Sequence, residues 1–354
     1  MKSLFAALGL VLLSGCSTVG YYWQSVSGHM QMLNAARPVA DVLADPQTSA
    51  VLKTRLELSQ RIRSFAATEL KLPDNASYQR YADLSRGAVV WNVVAAPEFS
   101  LTLKTWCFPV AGCIGYRGYF NEADARAEAA QLHSQGWEVS VYGVPAYSTL
   151  GKLGWLGNFG ADPLLNTFIS YPEGELARLM IHELAHQVVY AADDTMFNES
   201  FATAVERLGG QRWLAAHASQ AAKNDYAALE ARRQQFRALT AATRCDLTHI
   251  YLSNTAPDQQ IHAQAAPKNR AMQKFRSDYE QLKRSWGGFS GYDGWVARAN
   301  NASFGAQAAY DELVPGFEAL FEREGQDWHR FYDAVRRLAE LPKNERHQAF
   351  KTIL

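Results

Sequence analysis

The chain has 354 residues, of which 48% are hydrophobic and 20% are charged, and its formal net charge at neutral pH is +0. This composition is typical of a globular protein with room for one large domain or two small ones. No basic patch interleaved with aromatic residues accompanies the balanced charge, so the sequence argues against a nucleic-acid partner.

The N-terminus predicts an export signal. A short positive region precedes the apolar run Leu4–Leu13, which is too short to span a bilayer, and Leu13-Ser14-Gly15-Cys16 resembles a bacterial lipobox. We expect residues 1–15 to be removed and Cys16 to carry the lipid that anchors the rest of the chain. Ser17 favours the outer membrane, facing the periplasm; an ordinary secretory signal or a short anchor is the alternative.

Residues 16–85 are predicted to be mainly helical, because apolar residues recur at helical spacing from about Val19 to Leu70. Four short β-branched or aromatic segments bounded by Pro or Gly then predict a small sheet, with a helix over 122–135 between the third and fourth strands. The four predicted strands are Ala88–Ala95, Thr102–Trp106, Tyr116–Phe120 and Glu138–Tyr142.

The cysteines fit an oxidising compartment. Cys107 and Cys113 bracket a turn-rich loop that a disulfide could close. Free thiols and a zinc site are the alternatives, although no second cysteine or histidine pair stands at a suitable spacing for zinc. Cys245 is most simply a buried thiol.

The segment His182-Glu183-Leu184-Ala185-His186 has the HExxH pattern of zinc hydrolases. Pro172 and two acidic residues predict a helix start, and an apolar stripe without a breaker continues to Tyr190. At 3.6 residues per turn, His182 and His186 share one helix face and can bind one Zn²⁺, while Glu183 points towards a metal-bound water. Two surface histidines that bind nothing are the alternative.

A second helix is predicted from Asn198 until Gly209-Gly210, which we expect to stop it. Across a short turn, Glu199 can complete a His₂Glu ligand set. Asn198 and Glu206 are expected to lie behind the ligands and orient them, with Glu206 the less favoured alternative ligand. Asp193 and Asp194 in the turn are further oxygen donors, but such residues are more often solvated or cap a helix.

After Gly210 nearly all of the chain has helical spacing, including charged stretches from Asp225 to Thr243 and from Lys268 to Trp286. These stretches are predicted to be solvated faces of long helices rather than a partner-binding surface. The fold class is therefore α+β and mainly α, with the small sheet preceding the helix of the HExxH motif.

Together with Asn198-Glu199-Ser200-Phe201-Ala202, the HExxH motif resembles the gluzincin metallopeptidases with a short spacer. More closely, almost the whole mature chain resembles a family of bacterial lipoproteins described as putative aminopeptidases. The likeness extends through Tyr21-Tyr22-Trp23-Gln24, the Cys107–Cys113 segment and Asn300-Asn301-Ala302. The resemblance implies a zincin-like catalytic domain over 86–354, with 16–354 forming one compact unit and binding one zinc ion per chain.

For a peptide substrate, Tyr147-Ser148-Thr149-Leu150-Gly151 could add backbone donors and acceptors alongside an extended chain, and Gly151 would permit close approach. A surface loop is an equal alternative. Protein partners are not predicted.

Glu183 is expected to act as the general base, and Tyr310 is our choice to stabilise the oxyanion, with a core or surface tyrosine as the alternative. The other candidates for the oxyanion are Tyr190, Tyr251, His249 and the Asn300-Asn301 pair.

The sequence thus predicts a lipid-anchored, zinc-dependent peptide hydrolase, most simply an aminopeptidase. An envelope endopeptidase with the same chemistry and an inactive scaffold held together by its metal are the alternatives. Glu183 argues against the scaffold, because a purely structural site needs no general base.

Overall fold

The structure is a computed structural model that describes the backbone of residues 2–108, 112–150, 160–252 and 257–353. Within these ranges the side chains of 2–18, 257–263, 309, 311 and 351–353 are not described. The chain is mainly helical, as predicted. The helices are α1 (Lys2–Ala35), α2 (Val39–Ala44), α3 (Ala50–Thr68), α4 (Glu122–Ser134), α5 (Glu173–Ala185), α6 (Thr195–His217), α7 (Gln220–Leu252), α8 (Pro257–Ser285), α9 (Asp293–Arg298), α10 (Asn301–Asp311), α11 (Val314–Arg323), α12 (Trp328–Glu340) and α13 (Lys343–Ile353).

The described strands are short and form small sheets, in the orders β1-β2-β8, β6-β3-β7 and β4-β5. In the β6-β3-β7 sheet, β3 is central and antiparallel to both neighbours. The strands are β1 (Arg37–Pro38), β2 (Arg80–Ala82), β3 (Val90–Pro97), β4 (Trp106–Phe108), β5 (Gly112–Ile114), β6 (Arg117–Tyr119), β7 (Trp137–Val144) and β8 (Leu164–Leu165).

One predicted strand is wrong. Residues 101–105 have no regular structure, and Trp106 begins the separate β4–β5 hairpin. The segment has a backbone bond to β3, from Lys104 N to Ala95 O. It does not form a strand there, and Leu101 and Leu103 lie against Gly305 of α10. The other three predicted strands became β3, β6 and β7, with α4 between the last two.

Helices α5 and α6 lie side by side and carry the HExxH region. The prediction that Gly209-Gly210 ends the second helix is wrong, since α6 continues to His217. A Cβ at Gly209 would lie 2.5 Å from a Leu70 side-chain carbon, and one at Gly210 would lie 2.9 Å from the Arg178 side chain. These glycines therefore permit close helix packing. Helix α5 is also shorter than predicted, ending at Ala185 rather than near Tyr190.

The largest buried core joins both ends of the chain. It contains residues of α1–α3, α5 and α6, together with residues of α11–α13 such as Phe317, Phe331 and Phe350. A second core lies among α7–α10 and includes Phe236, Phe275 and Phe304. Cys245 is exposed on α7, so its prediction as a buried thiol is wrong.

Helix α10 is fastened to the sheet by asparagines at its start. The Asn300 side chain caps Ser303 N and donates to Val139 O of β7. Asn301 donates to the carbonyl oxygens of Pro97 and Glu98, at the end of β3. These bonds fix where the far end of α10 lies relative to α5.

No helix in the described part of the chain combines the length and apolarity that a membrane span requires.

We expect Gly305→Ala to displace α10, because a Cβ there would lie 2.5 Å from the backbone oxygen of Leu101. Overpacking costs about 1–3 kcal/mol, which should exceed the gain in helix propensity from alanine. Thermal denaturation should show a lower Tm. Gly20→Ala is the control: Gly20 is also helical, and its Cβ would meet nothing within 4 Å. Equal Tm values for the two variants would contradict the packing described for α10.

Candidate metal centre

Three side chains from α5 and α6 converge where the two helices pack. His182 lies in the last turn of α5, His186 is the residue that caps its C-terminus, and Glu199 lies near the start of α6. The two Nε2 atoms are 3.2 Å apart. Oε2 of Glu199 lies 3.3 Å from Nε2 of His182 and 3.6 Å from Nε2 of His186. All three residues are buried.

These separations fit a metal ion. A tetrahedral ion bound at the usual distances holds its ligand atoms about 3.3 Å from each other, which is close to each of the three separations. The donor set of two imidazoles and one carboxylate is that of the His₂Glu type of site. The residues present can therefore bind a metal such as zinc.

Glu206 and Arg178 extend this cluster along the helix pair. Oε2 of Glu206 lies 3.0 Å from Nδ1 of His182, and its other oxygen forms an ion pair with Arg178. Arg178 also bonds Glu230 at 2.9 Å. Burial opposes ionisation of Glu206, but the charge of Arg178 and the bond to His182 lower its pKa to about 2. Glu206 is therefore an anion that turns Nε2 of His182 towards the other two ligands.

The protonation of His182 also depends on these carboxylates. Burial lowers the pKa of its imidazole, but hydrogen bonds to Glu199 and Glu206 outweigh burial and raise it well above the usual range. A proton and a metal compete for the same nitrogen lone pair. Binding of a metal by His182 should consequently release a proton.

Glu183 stands beside the cluster and lines the same cavity. Burial raises the pKa of its carboxyl, and the two histidines oppose this rise. A carboxylate with a raised pKa is a better proton acceptor than one in water. Glu183 is thus suited to accept and return a proton.

The cluster forms part of the wall of a cavity of about 840 Å³. Its wall includes residues of α1, the β4–β5 hairpin and the segment after β7, and also residues of α6, α7 and α10. Eight aromatic side chains contribute to the lining, namely Tyr21, Tyr22, Phe108, Tyr116, Phe120, Tyr147, Tyr190 and Tyr310.

Tyr310 reaches the cluster from α10. Its ring lies near that of His182 and roughly parallel to it, with 6.4 Å between centroids and 24° between planes. Its pKa is raised well above the ordinary range, mainly by burial and secondly by the charge of Glu199. Tyr310 therefore remains a protonated hydrogen-bond donor. Tyr251 and Asn301 instead bond each other at 2.8 Å in the network that fastens α10.

The segment Tyr147–Leu150 lines the cavity as a loop, which was the alternative considered for it. The backbone N–H of Thr149 donates to the Asp162 carboxylate at 3.1 Å, and that of Leu150 donates to Oγ of Ser148. Both donors are thereby occupied. Gly151 lies outside the described residues. Burial raises the pKa of Asp162 to about 7.

The remaining predicted side chains within the described residues do not bond to the three candidate ligands. Asn198 bonds both the N–H and the carbonyl of Ala191, which joins α5 to α6, rather than a ligand. Cys107 and Cys113 form a disulfide within the β4–β5 hairpin. Asp193 accepts from Cys113 N, while Asp194 caps α6. The side chain of Cys16 lies outside those described.

Sequence reasoning missed Arg178 and Tyr116. Arg178 lies one turn before His182 on the buried face of α5, and a cation in that apolar stripe was the available signal. Tyr116 follows the hairpin and lines the cavity, and its pKa is raised well above normal by burial and then by Glu199. No local pattern distinguished it from other tyrosines.

Comparison with known proteins identifies a family. A family model described as "Putative aminopeptidase" matches residues 20–350 of the chain. No curated protein and no solved structure matches it.

The purified full-length chain should retain about one equivalent of zinc after loading and desalting. Because two of the three donors are removed, His182→Ala/His186→Ala should lose nearly all of it. Mass spectrometry of the metal content checks this. His249→Ala changes an exposed histidine on α7 and should bind as the wild type does. Full zinc content in the double variant would refute the ligand assignment.

Proposed function

The chain belongs to the putative aminopeptidase family, and from this premise we propose that it is a zinc-dependent aminopeptidase of the gluzincin type with a zincin-like catalytic domain. The observation that carries the proposal is the meeting of His182, His186 and Glu199, with Glu183 beside them in one cavity. A purely structural metal site would need neither a cavity nor an adjacent carboxylate.

In this proposal His182, His186 and Glu199 hold the ion. Zinc, when bound, lowers the pKa of a water molecule and polarises the scissile carbonyl. Glu183 takes the proton from the attacking water and returns it to the leaving amine. Glu206 keeps the His182 ring in the orientation that binding needs.

Tyr310 is proposed to stabilise the developing oxyanion. Its raised pKa keeps the phenol protonated, so it can donate a hydrogen bond where negative charge accumulates. The proposal is supported by the position of Tyr310 near His182 in the wall of the same cavity. Tyr116 is the other tyrosine near Glu199 on which such a role could fall.

The cavity also supports a substrate class. The family supports an exopeptidase, while the carboxylates in the cavity wall, Glu183, Glu199 and Glu206, already have roles at the candidate metal site. The aromatic and aliphatic lining around Phe108 and Phe120 favours a large apolar N-terminal side chain. We therefore propose peptides with such N-termini as substrates.

The location is a further proposal. The lipobox at Leu13–Cys16 supports a lipid anchor on Cys16 and a place at the outer membrane, facing the periplasm. The Cys107–Cys113 disulfide suits that oxidising compartment.

Glu183→Gln should keep zinc and thermal stability while turnover falls by at least about a hundredfold, because the base is lost but its size is retained. Glu199→Gln should differ by losing metal affinity and activity together, since it weakens a ligand. Leucine and phenylalanine arylamides measure the turnover, and Glu69→Gln on the surface is the control.

Three outcomes would contradict this account. A fully active Glu183→Gln enzyme would mean that another residue takes the proton. Zinc-dependent cleavage of N-terminally blocked, internally quenched peptides without cleavage of arylamides would identify an endopeptidase. A wild-type chain that binds zinc but hydrolyses no peptide in a broad panel would favour the scaffold.

Tyr310→Phe removes one hydroxyl, so kcat should fall about a hundredfold with little change in KM or zinc content. Tyr116→Phe is the matched comparison, because it removes the same group from another wall of the cavity. Steady-state kinetics on an arylamide measures both variants. A large loss in Tyr116→Phe together with normal kcat in Tyr310→Phe would transfer the role to Tyr116.

A further inference from the structure

Helix α1 presents an apolar stripe to solvent. Val19, Tyr22, Trp23, Val26 and Met30 are all exposed, Trp23 to 74% and Val26 to 59%. At 100° per residue these five positions fall within an arc of about 100°. Single exposed apolar residues are ordinary, but a continuous stripe along one helix marks an interaction surface.

No charged side chain interrupts this helix. Between Lys2 and Arg37 the sequence has no Asp, Glu, Lys or Arg. Tyrosine and tryptophan, which the stripe carries side by side, are the residues enriched where a protein meets the headgroup region of a bilayer. An uncharged stripe of this composition is more stable in the headgroup region than in water.

The opposite face of α1 is firmly attached to the β6 edge of the sheet. The Gln24 side chain accepts from Phe120 N at 3.0 Å, and the Tyr21 ring lies 4.1 Å beneath the Arg117 guanidinium. At Gly28 a Cβ would collide with the Phe120 side chain. The stripe therefore has a fixed direction relative to the cavity.

We propose that this stripe lies in the interfacial region of the bilayer that holds the acyl chains of Cys16. The inference rests on the proposed lipid anchor. Cys16 lies in the same helix, seven positions before Trp23, and at 1.5 Å per residue this corresponds to about 10 Å. A lipid at Cys16 thus brings the stripe to the membrane surface, and burial of its apolar face orients the helix along that surface.

This orientation has a consequence for substrates. Tyr22 belongs to the stripe and also lines the cavity that contains the ligand cluster. The part of the cavity wall that α1 provides therefore lies next to the bilayer. Peptides whose N-termini are displayed close to the membrane surface are the substrate class that this arrangement favours.

The experiment measures the depth of α1 in a bilayer. The full-length chain carrying Cys245→Ser and Val26→Cys is labelled with the fluorophore NBD and reconstituted into phosphatidylethanolamine and phosphatidylglycerol vesicles. Some of the lipids carry spin labels that quench NBD. The controls place the same label at Val51→Cys on α3 and at Leu252→Cys on α7, which are exposed to 74% and 72%.

We expect a blue-shifted emission and strong lipid quenching at position 26, and emission typical of water at positions 51 and 252. Three results would overturn the proposal. The first is water-like emission at position 26. The second is a blue shift at position 26 without lipid quenching, which would mean that protein covers the stripe. The third is equal quenching at all three positions.

The anchor is tested separately by fatty-acid labelling of wild type and Cys16→Ala. An unacylated wild type would refute the anchor. Its free Cys16 thiol would also take the label, so a chain that additionally carries Cys16→Ser, labelled at position 26 alone and added to vesicles, would then report on the stripe. Arylamide hydrolysis by the wild-type chain tests the enzyme independently of both.

Discussion

Everything at the candidate site depends on the need to pair charges that are buried between two helices. Helix α5 contributes Arg178, His182 and His186 at intervals of four residues, and α6 contributes Glu199 and Glu206 seven residues apart. In the antiparallel pair these side chains alternate, so that Glu206 lies between Arg178 and His182, and Glu199 between His182 and His186. A buried charge without a partner is strongly destabilising. The register of α5 against α6 consequently also determines the positions of His182, His186 and Glu199. The close packing of the helices at Gly209 and Gly210 permits this register.

The sequence predicted the local part of this arrangement well. The spacing of His182 and His186 depends only on helix geometry, and a carboxylate in the next helix can face them across a short turn. The prediction that Gly209-Gly210 ends α6 was wrong because glycine has two uses. It stops a helix where the backbone must reverse, but it also continues one where a neighbouring helix leaves no room for a Cβ. Only the position of Arg178 and Leu70 beside these residues decides between the two.

The rest of the site could not be derived from local patterns, because it is assembled by contacts between distant segments. Tyr310 reaches His182 only because Asn300 and Asn301 fasten α10 to strands far earlier in the chain. Nothing near Tyr116 indicates that it faces Glu199. The Tyr147–Leu150 segment follows a strand and was a reasonable candidate for more extended structure. However, the N–H of Thr149 donates to the buried carboxylate of Asp162 instead of to a neighbouring strand, and the segment is a loop.

The two histidines of the cluster are not held equally, and this inequality bears on how an ion would enter and leave. His182 is restrained at its second nitrogen by Glu206, whereas Nδ1 of His186 is buried without a hydrogen-bond partner among the described residues. His186 also caps the end of α5, where the helical backbone stops. Its ring is therefore the freer of the two to rotate away. Of the three residues that would hold an ion, His186 would be the first to release it, so that exchange would be controlled at the end of the helix rather than in its body.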